Sequence, residues 1–220
     1  MKAVVKFLLL FFAMIVSAQS MAQTFGIRAG LNMSNMLMKN DEGTTSEDFK
    51  MNPGFHAGPV MEISLNDMFS FETGIMVETK GFRVSQESNE FEYSGKLNLL
   101  YADVPITAKA KFTVGEAKIF GMLGPYVGVG LKGKSKYEIT FGGETEIETE
   151  VVEWGGDPEN DDFKRIDLGA VAGAGVEISS IRLSVSYGYG LANITSYTEG
   201  GNKVKNRMLS FSAGYMFGNK

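Results

Sequence analysis

Ile181-Arg182-Leu183-Ser184-Val185-Ser186-Tyr187-Gly188-Tyr189-Gly190-Leu191 alternates without a break. Ile181, Leu183, Val185, Tyr187, Tyr189 and Leu191 fall in one phase; Arg182, Ser184, Ser186, Gly188 and Gly190 fall in the other. Successive side chains of a strand point to opposite faces, so this segment is a strand with one apolar face and one small, polar or charged face. A helix would scatter the same residues around its circumference.

The pattern recurs on both sides. Leu209, Phe211, Ala213, Tyr215 and Phe217 alternate with Ser210, Ser212 and Gly214. In 164–178 Ile166, Leu168, Val176 and Ile178 oppose Arg165, Asp167 and Glu177, and in 117–131 Ile119, Leu123, Val127, Val129 and Leu131 oppose Lys118, Phe120, Met122 and Tyr126. Fainter alternation marks 24–35, 53–65, 69–82 and 97–113. Eight strands result, an even number as bacterial single-chain barrels require. Most runs exceed the roughly 9–11 residues that a tilted membrane-crossing strand needs.

The connections sort by length. Asn66-Asp67-Met68, Gly115-Glu116 and Ser179-Ser180 are short turns, whereas about 36–52, 84–95, 132–163 and 196–206 read as long loops. Short turns at one end and long loops at the other are the asymmetry of outer-membrane barrels. The longest loop carries Glu144, Glu146, Glu148, Glu150 and Glu153, then Asp157, Glu159, Asp161 and Asp162. A solvated acidic loop is the plain reading. Divalent-cation bridging through Asp157-x-Glu159-x-Asp161 is the sharper one, although Asp162 and Leu168 stand where an EF-hand needs Gly and Glu. Trp154, in the same loop, reads as its anchor or as a partner contact.

The chain opens with Lys2, Lys6, the uncharged run Phe7–Val16 and small residues through Ala22. That is the plan of a secretory signal peptide, residues 1–22, with cleavage after Ser20-x-Ala22 leaving Gln23, or else after Ala18-x-Ser20. A run of about ten residues is too short for a spanning helix. Residues 23–220 then form the barrel domain. The chain has no cysteine, which removes disulfide and thiolate chemistry. Its net charge of −5 is spread among interleaved signs, and no basic patch suits nucleic acid.

With the apolar faces turned to lipid, the opposite faces collect Arg28, Glu62, Glu72, Glu78, Lys80, Asp103, Lys109, Lys111, Lys118, Arg165, Asp167, Glu177 and Arg182. An eight-stranded barrel is only wide enough for its own side chains to fill. These charges must therefore pair with one another or meet water, and the expectation is a salt-bridged, closed lumen. The reverse arrangement is a soluble lipocalin-like barrel with the same charges facing solvent. Loop asymmetry, a Gly- and Ser-rich inward face and aromatic residues near strand ends (Phe25, Phe69, Phe71, Phe112, Phe120, Tyr187, Tyr189, Tyr215 and Phe217) favour lipid outside.

The aromatic last strand, ending Tyr215-Met216-Phe217-Gly218-Asn219-Lys220, resembles the assembly signal of bacterial outer-membrane barrels. The opening Phe25-Gly26-Ile27-Arg28-Ala29-Gly30-Leu31-Asn32-Met33-Ser34 and the segment Tyr101-Ala102-Asp103-Val104-Pro105-Ile106-Thr107-Ala108-Lys109 look like the small "porin family" β-barrel domain common in Bacteroidota. The resemblance implies an all-β, eight-stranded, up-and-down transmembrane barrel in the cell outer membrane.

His56 is the single histidine, and without a Gly-x-Ser-x-Gly elbow a Ser-His-Asp triad is not expected. No catalytic, cofactor or metal residue is assigned. The function expected is non-enzymatic, structural or surface-interacting; a narrow porin-like channel for small solutes and a soluble periplasmic carrier are the alternatives. The partners expected are outer-membrane lipid, the barrel-assembly machinery during biogenesis and an extracellular ligand or protein at the long loops. Nucleic acid is not expected, and the barrel is expected to be a monomer.

Overall fold

A computed structural model describes residues 23–88, 91–141 and 144–217. The expected signal peptide, its cleavage site and the last three residues lie outside the described residues. Among the described residues there are eleven strands: β1 (Gln23–Asn40), β2 (Gly43–Thr44), β3 (Asn52–Ser64), β4 (Phe69–Gly74), β5 (Met76–Ser88), β6 (Phe91–Val114), β7 (Ala117–Phe141), β8 (Glu144–Val151), β9 (Ile166–Ile178), β10 (Ile181–Gly190) and β11 (Lys203–Phe217). All pairings between them are antiparallel.

Eight staves close a ring. β1 pairs β11 from Phe25↔Phe217 to Lys39↔Lys203, and on its other side pairs β3 from Gln23↔Ile63 to Ser34↔Asn52. β4 and β5 act as one stave, broken at Ile75, between β3 and β6. The ring continues β6–β7–β9–β10–β11. A closed ring leaves no unpaired edge, which is what a sheet needs to cross hydrocarbon. No helix among the described residues is long and apolar enough to cross a membrane.

The deciding segment settles the orientation. Ile181 is 57% exposed and Leu183 52%, whereas Arg182 is 4% exposed. Phe25, Ile27, Leu31, Leu123, Val127, Ile166, Phe211 and Phe217 stand outward in the same way. A soluble carrier with an apolar lumen needs the reverse arrangement, so that alternative is overturned. So continuous an apolar face is stable only against another apolar medium. One aromatic is placed differently from the expected girdle: Phe120 is buried inside, on the charged face.

The ends are asymmetric as expected, but the long connections are not mostly loop. β6 and β7 run 24 and 25 residues, and the segment read as a loop at 84–95 is an extension of the β5–β6 ladder, paired from Arg83↔Lys96 to Ser88↔Phe91. Much of 132–163 is likewise strand: β7 continues to Phe141 and turns back as β8, from Lys134↔Val151 to Phe141↔Glu144. Beyond the membrane both faces meet water, so alternation loses its cause and the strands stop announcing themselves. The remaining stretch, 152–165, folds inward. Val152 and Ile194 pack with Met36, Leu97, Leu99, Tyr101 and Val204, and Trp154 and Phe163 lie against this cluster. The upper lumen is therefore apolar.

Candidate functional site

Below the apolar cap lie two ionic layers. The lower one draws on six staves of the ring: Arg28 from β1, Glu62 from β3, Glu72 from β4, Lys109 and Lys111 from β6, Glu177 from β9 and Arg182 from β10. Arg182 Nη2 lies 2.8 Å from Glu62 and 2.5 Å from Glu177, and its Nη1 lies 2.6 Å from Glu72. Lys109 Nζ lies 3.1 Å from both Glu62 and Glu72, Arg28 pairs Glu72 at 2.8 Å, and Lys111 pairs Glu62. Both Lys109 and Arg182 stand over the Phe120 ring, at 4.1 and 5.6 Å from its centroid. That explains an aromatic on the inward face, since a ring face attracts cations without needing a second carboxylate.

The upper layer centres on one cation. Lys80 Nζ lies 2.6 Å from Asp103, 3.0 Å from Asp167 and 3.4 Å from Glu78. The rings of Tyr126 and Tyr101 flank it at 4.5 and 4.6 Å. Tyr126 and Asn206 donate to Asp167 at 3.1 and 2.9 Å. Four cations meet three carboxylates in the lower layer, and one meets three in the upper. The signs nearly cancel across the lumen as a whole, which is the condition for burying so many charges.

Eleven of the thirteen expected lumen charges thus meet in ion pairs. Among the described residues Lys118 and Arg165 have no such pair. Lys118 is exposed beside the Gly115-Glu116 turn, and Arg165 is exposed at the opposite mouth, its guanidinium 3.4 Å from the Gly130 carbonyl. Alternation gives the face of a residue but not its height, so it cannot tell a rim position from a buried one.

Three residues not expected to act together also meet. His56 Nδ1 lies 2.6 Å from Asn32 Oδ1 and its Nε2 lies 2.9 Å from Ser212 Oγ. Gly30 stands between His56 and Ser212 in the register, and a Cβ there would come within 2.7 Å of the imidazole. This has the connectivity of a nucleophile, a base and an orienting group. It opens on a cavity of about 60 Å³ that Arg28, Glu78, Lys80 and Asp103 also line, which is room for a few waters. Register pairing of Gly30 with both strands is the signal that could have found it, and register is not readable from one strand at a time.

In the inward-folded segment, Trp154 meets Tyr101 edge-on at 5.6 Å and fills the space over Gly130, so it anchors the segment. Two of the three carboxylates of Asp157-x-Glu159-x-Asp161 are engaged locally: Asp161 accepts the Asp157 N–H at 2.8 Å, and Asp157 accepts the Glu159 N–H at 3.0 Å and the Asn160 amide at 2.8 Å. The last two donors hold the Asp157 carboxyl below the usual aspartate range. Among the described residues no group of three or more His, Asp or Glu is arranged to hold a metal ion.

Residues 18–196 match the family model described as "Outer membrane protein beta-barrel domain". A comparison with curated proteins gives no match. Among solved structures the chain is similar to Neisserial surface protein A, at 14% identity over 89% of this chain and 99% of that one, TM-score 0.44. It is also similar to the outer membrane protein OprG from Pseudomonas aeruginosa, at 13% identity over 90% and 97%, TM-score 0.42. A third is Ail, the attachment invasion locus protein of Yersinia pestis, at 18% identity over 90% and 100%, TM-score 0.38.

Proposed function

Because the chain belongs to the outer membrane protein beta-barrel domain family, we propose that this outer-membrane barrel is a non-conducting, non-enzymatic protein whose role lies in its wall and its projecting strands. The observation that carries the reading is the filled lumen. Two ionic layers, with Lys109, Asp167 and Lys80 at most 2% exposed, lie beneath a cap of Val152, Trp154, Phe163 and Ile194. An ion crossing that path would have to break several buried pairs at once, each of which loses its compensation when one partner leaves. The β7–β8 hairpin is the surface that an extracellular partner meets, with Glu144, Glu146, Glu148 and Glu150 along one of its faces. The barrel inserts as a monomer of the Bacteroidota porin type.

Planar-bilayer recording of the full-length protein tests the closed lumen. The expected result is a silent membrane at either polarity; a steady unitary conductance would sink the reading and leave the narrow channel standing. The enzymatic question turns on Ser212. A cavity that holds only a few waters excludes an ester substrate, so an alkyl fluorophosphonate should leave Ser212 unmodified. Stoichiometric labelling, lost in His56→Ala, would make the Ser212–His56–Asn32 chain catalytic.

A further inference from the structure

Beyond the apolar band, on the loop side, the outer wall carries an arrangement that the strands alone do not favour. Arg83 on β5 stands directly opposite Lys96 on β6, and Lys96 directly opposite Lys136 on β7. Lys50 bridges to Arg83 from the other side. Four cations therefore form a transverse row across adjacent strands, and like charges directly opposite one another repel. One step nearer the membrane come Lys134, opposite Asn98, and Lys132, opposite Leu100.

Among the described residues a carboxylate pairs only one member of this row. Lys136 pairs Glu138, but Lys50 donates to the Ser85 hydroxyl and Arg83 to the Asn52 side-chain oxygen. Among the described residues Lys96, Lys132 and Lys134 have no ion pair. Partial burial, with Arg83 and Lys136 alongside, holds the Lys96 ammonium below the usual lysine value, as expected of cations lacking a counter-ion. The acidic side chains stand farther out, where Glu87 faces Glu92 near the hairpin tip.

Height decides which anion suits the row. Lys132 directly follows Leu131, which is 43% exposed in the apolar band, and Lys134 and Lys136 stand about 10–17 Å along the strand from Leu131. The row begins where hydrocarbon ends. The pattern recurs across the barrel: Lys203 faces Lys39, and Lys205 and Arg207 follow Leu209 outward along the wall, both over the Tyr189 ring. A net charge of −5 makes such segregation of cations at one height the more telling.

We propose that the Lys50–Arg83–Lys96–Lys136 row, with Lys132 and Lys134 below it, binds the phosphate groups of outer-leaflet lipid headgroups. Guanidinium and ammonium groups in a row suit phosphate, the first as a fork and the second as point charges. The bound phosphates also remove the cross-strand repulsion.

Native mass spectrometry of the full-length protein released from nanodiscs tests this. The nanodiscs hold phosphatidylcholine with a minor fraction of either a phosphorylated lipid A or its enzymatically dephosphorylated form. The intact protein should retain the phosphorylated lipid and not the dephosphorylated one. The triple variant Arg83→Gln, Lys96→Gln, Lys136→Gln should retain it about a hundredfold more weakly, at roughly fivefold per charge, while Lys118→Gln at the opposite rim changes nothing. The triple variant removes repulsion and should fold; unchanged far-UV circular dichroism checks this, and Lys96→Met alone provides a milder variant. Equal retention of both lipids, equal retention by the triple variant, or full displacement by millimolar inorganic phosphate would each overturn the proposal, the last by making the row a free-anion site.

Discussion

The guanidinium of Arg182 reaches Glu62, Glu72 and Glu177, and no two of these share a strand. One side chain therefore ties β10 to β3, β4 and β9 across the lumen. Removing it leaves three carboxylates with Lys109, Lys111 and Arg28 to share. Breaking a buried pair by deleting one partner costs roughly 3–5 kcal/mol. Arg182→Met should lower the unfolding free energy in lipid vesicles by about that amount, read from urea titration of the fluorescence of Trp154, the sole tryptophan. Lys118→Met, exposed and unpaired, should move it by no more than about 0.5 kcal/mol. Which side chains face the lumen was legible, because period two separates Arg182 from Ile181 and Leu183 without ambiguity. Their partners were not. That Arg182 meets Glu72, 110 positions away, depends on ring closure and stagger, which no single strand encodes.

The hairpins show the same division. The turn at Ser179-Ser180 was visible as a gap between two alternating runs, but its conformation was not. Ser179 has φ of 52°, in the left-handed region that non-glycine residues seldom adopt. A β-branched side chain there should be worse than serine: Ser179→Val should destabilise the barrel by about 1–2 kcal/mol, and Ser179→Gly should not, by the same urea titration. At the other end, the turn 157–161 is held by the Asp157 carboxylate. Its pKa is depressed by the Asn160 amide and the Glu159 N–H, so the stabilisation is complete above the ordinary aspartate value of about 3.9 and is lost only as the pH falls through the lower folded value. Amide exchange at Glu159 should stay slow at pH 5 and quicken only on stronger acidification, whereas in Asn160→Ala the loss should begin at higher pH. The strand extensions of β5 to β8 escaped the sequence because both their faces meet water. The apolar cap escaped because Leu97, Leu99 and Tyr101 lie in the same inward phase of β6 that carries Asp103 and Lys109 lower down, and alternation gives the face of a residue but not its height.

At the scale of the molecule the lumen is filled at three levels, by chemically different means. The cap of Val152, Trp154, Phe163 and Ile194 packs against Leu97, Leu99 and Tyr101 above the ionic layers. The Lys80 layer and the Arg182 layer exclude ions by holding their own charges in pairs. Closure of this kind is redundant, and redundancy predicts how it should fail. Trp154→Ala with Phe163→Ala removes the cap's largest side chains and should admit water as far as Tyr101, seen as faster exchange of the backbone amides beneath it. It should not conduct, because Lys80 and Arg182 still span the bore below. Replacing Lys80 and Arg182 by alanine in an otherwise intact chain should likewise stay silent under the cap, at a large cost in stability, since six carboxylates then share only Arg28, Lys109 and Lys111. Only the combined variant opens all three barriers. With carboxylates in excess along its bore it should pass cations in preference to anions, measurable as a positive-ion-selective reversal potential across a salt gradient in planar bilayers. If the cap variant alone conducts, the ionic layers do not seal the barrel, and the lumen works as a gated channel whose gate is the inward-folded segment 152–165.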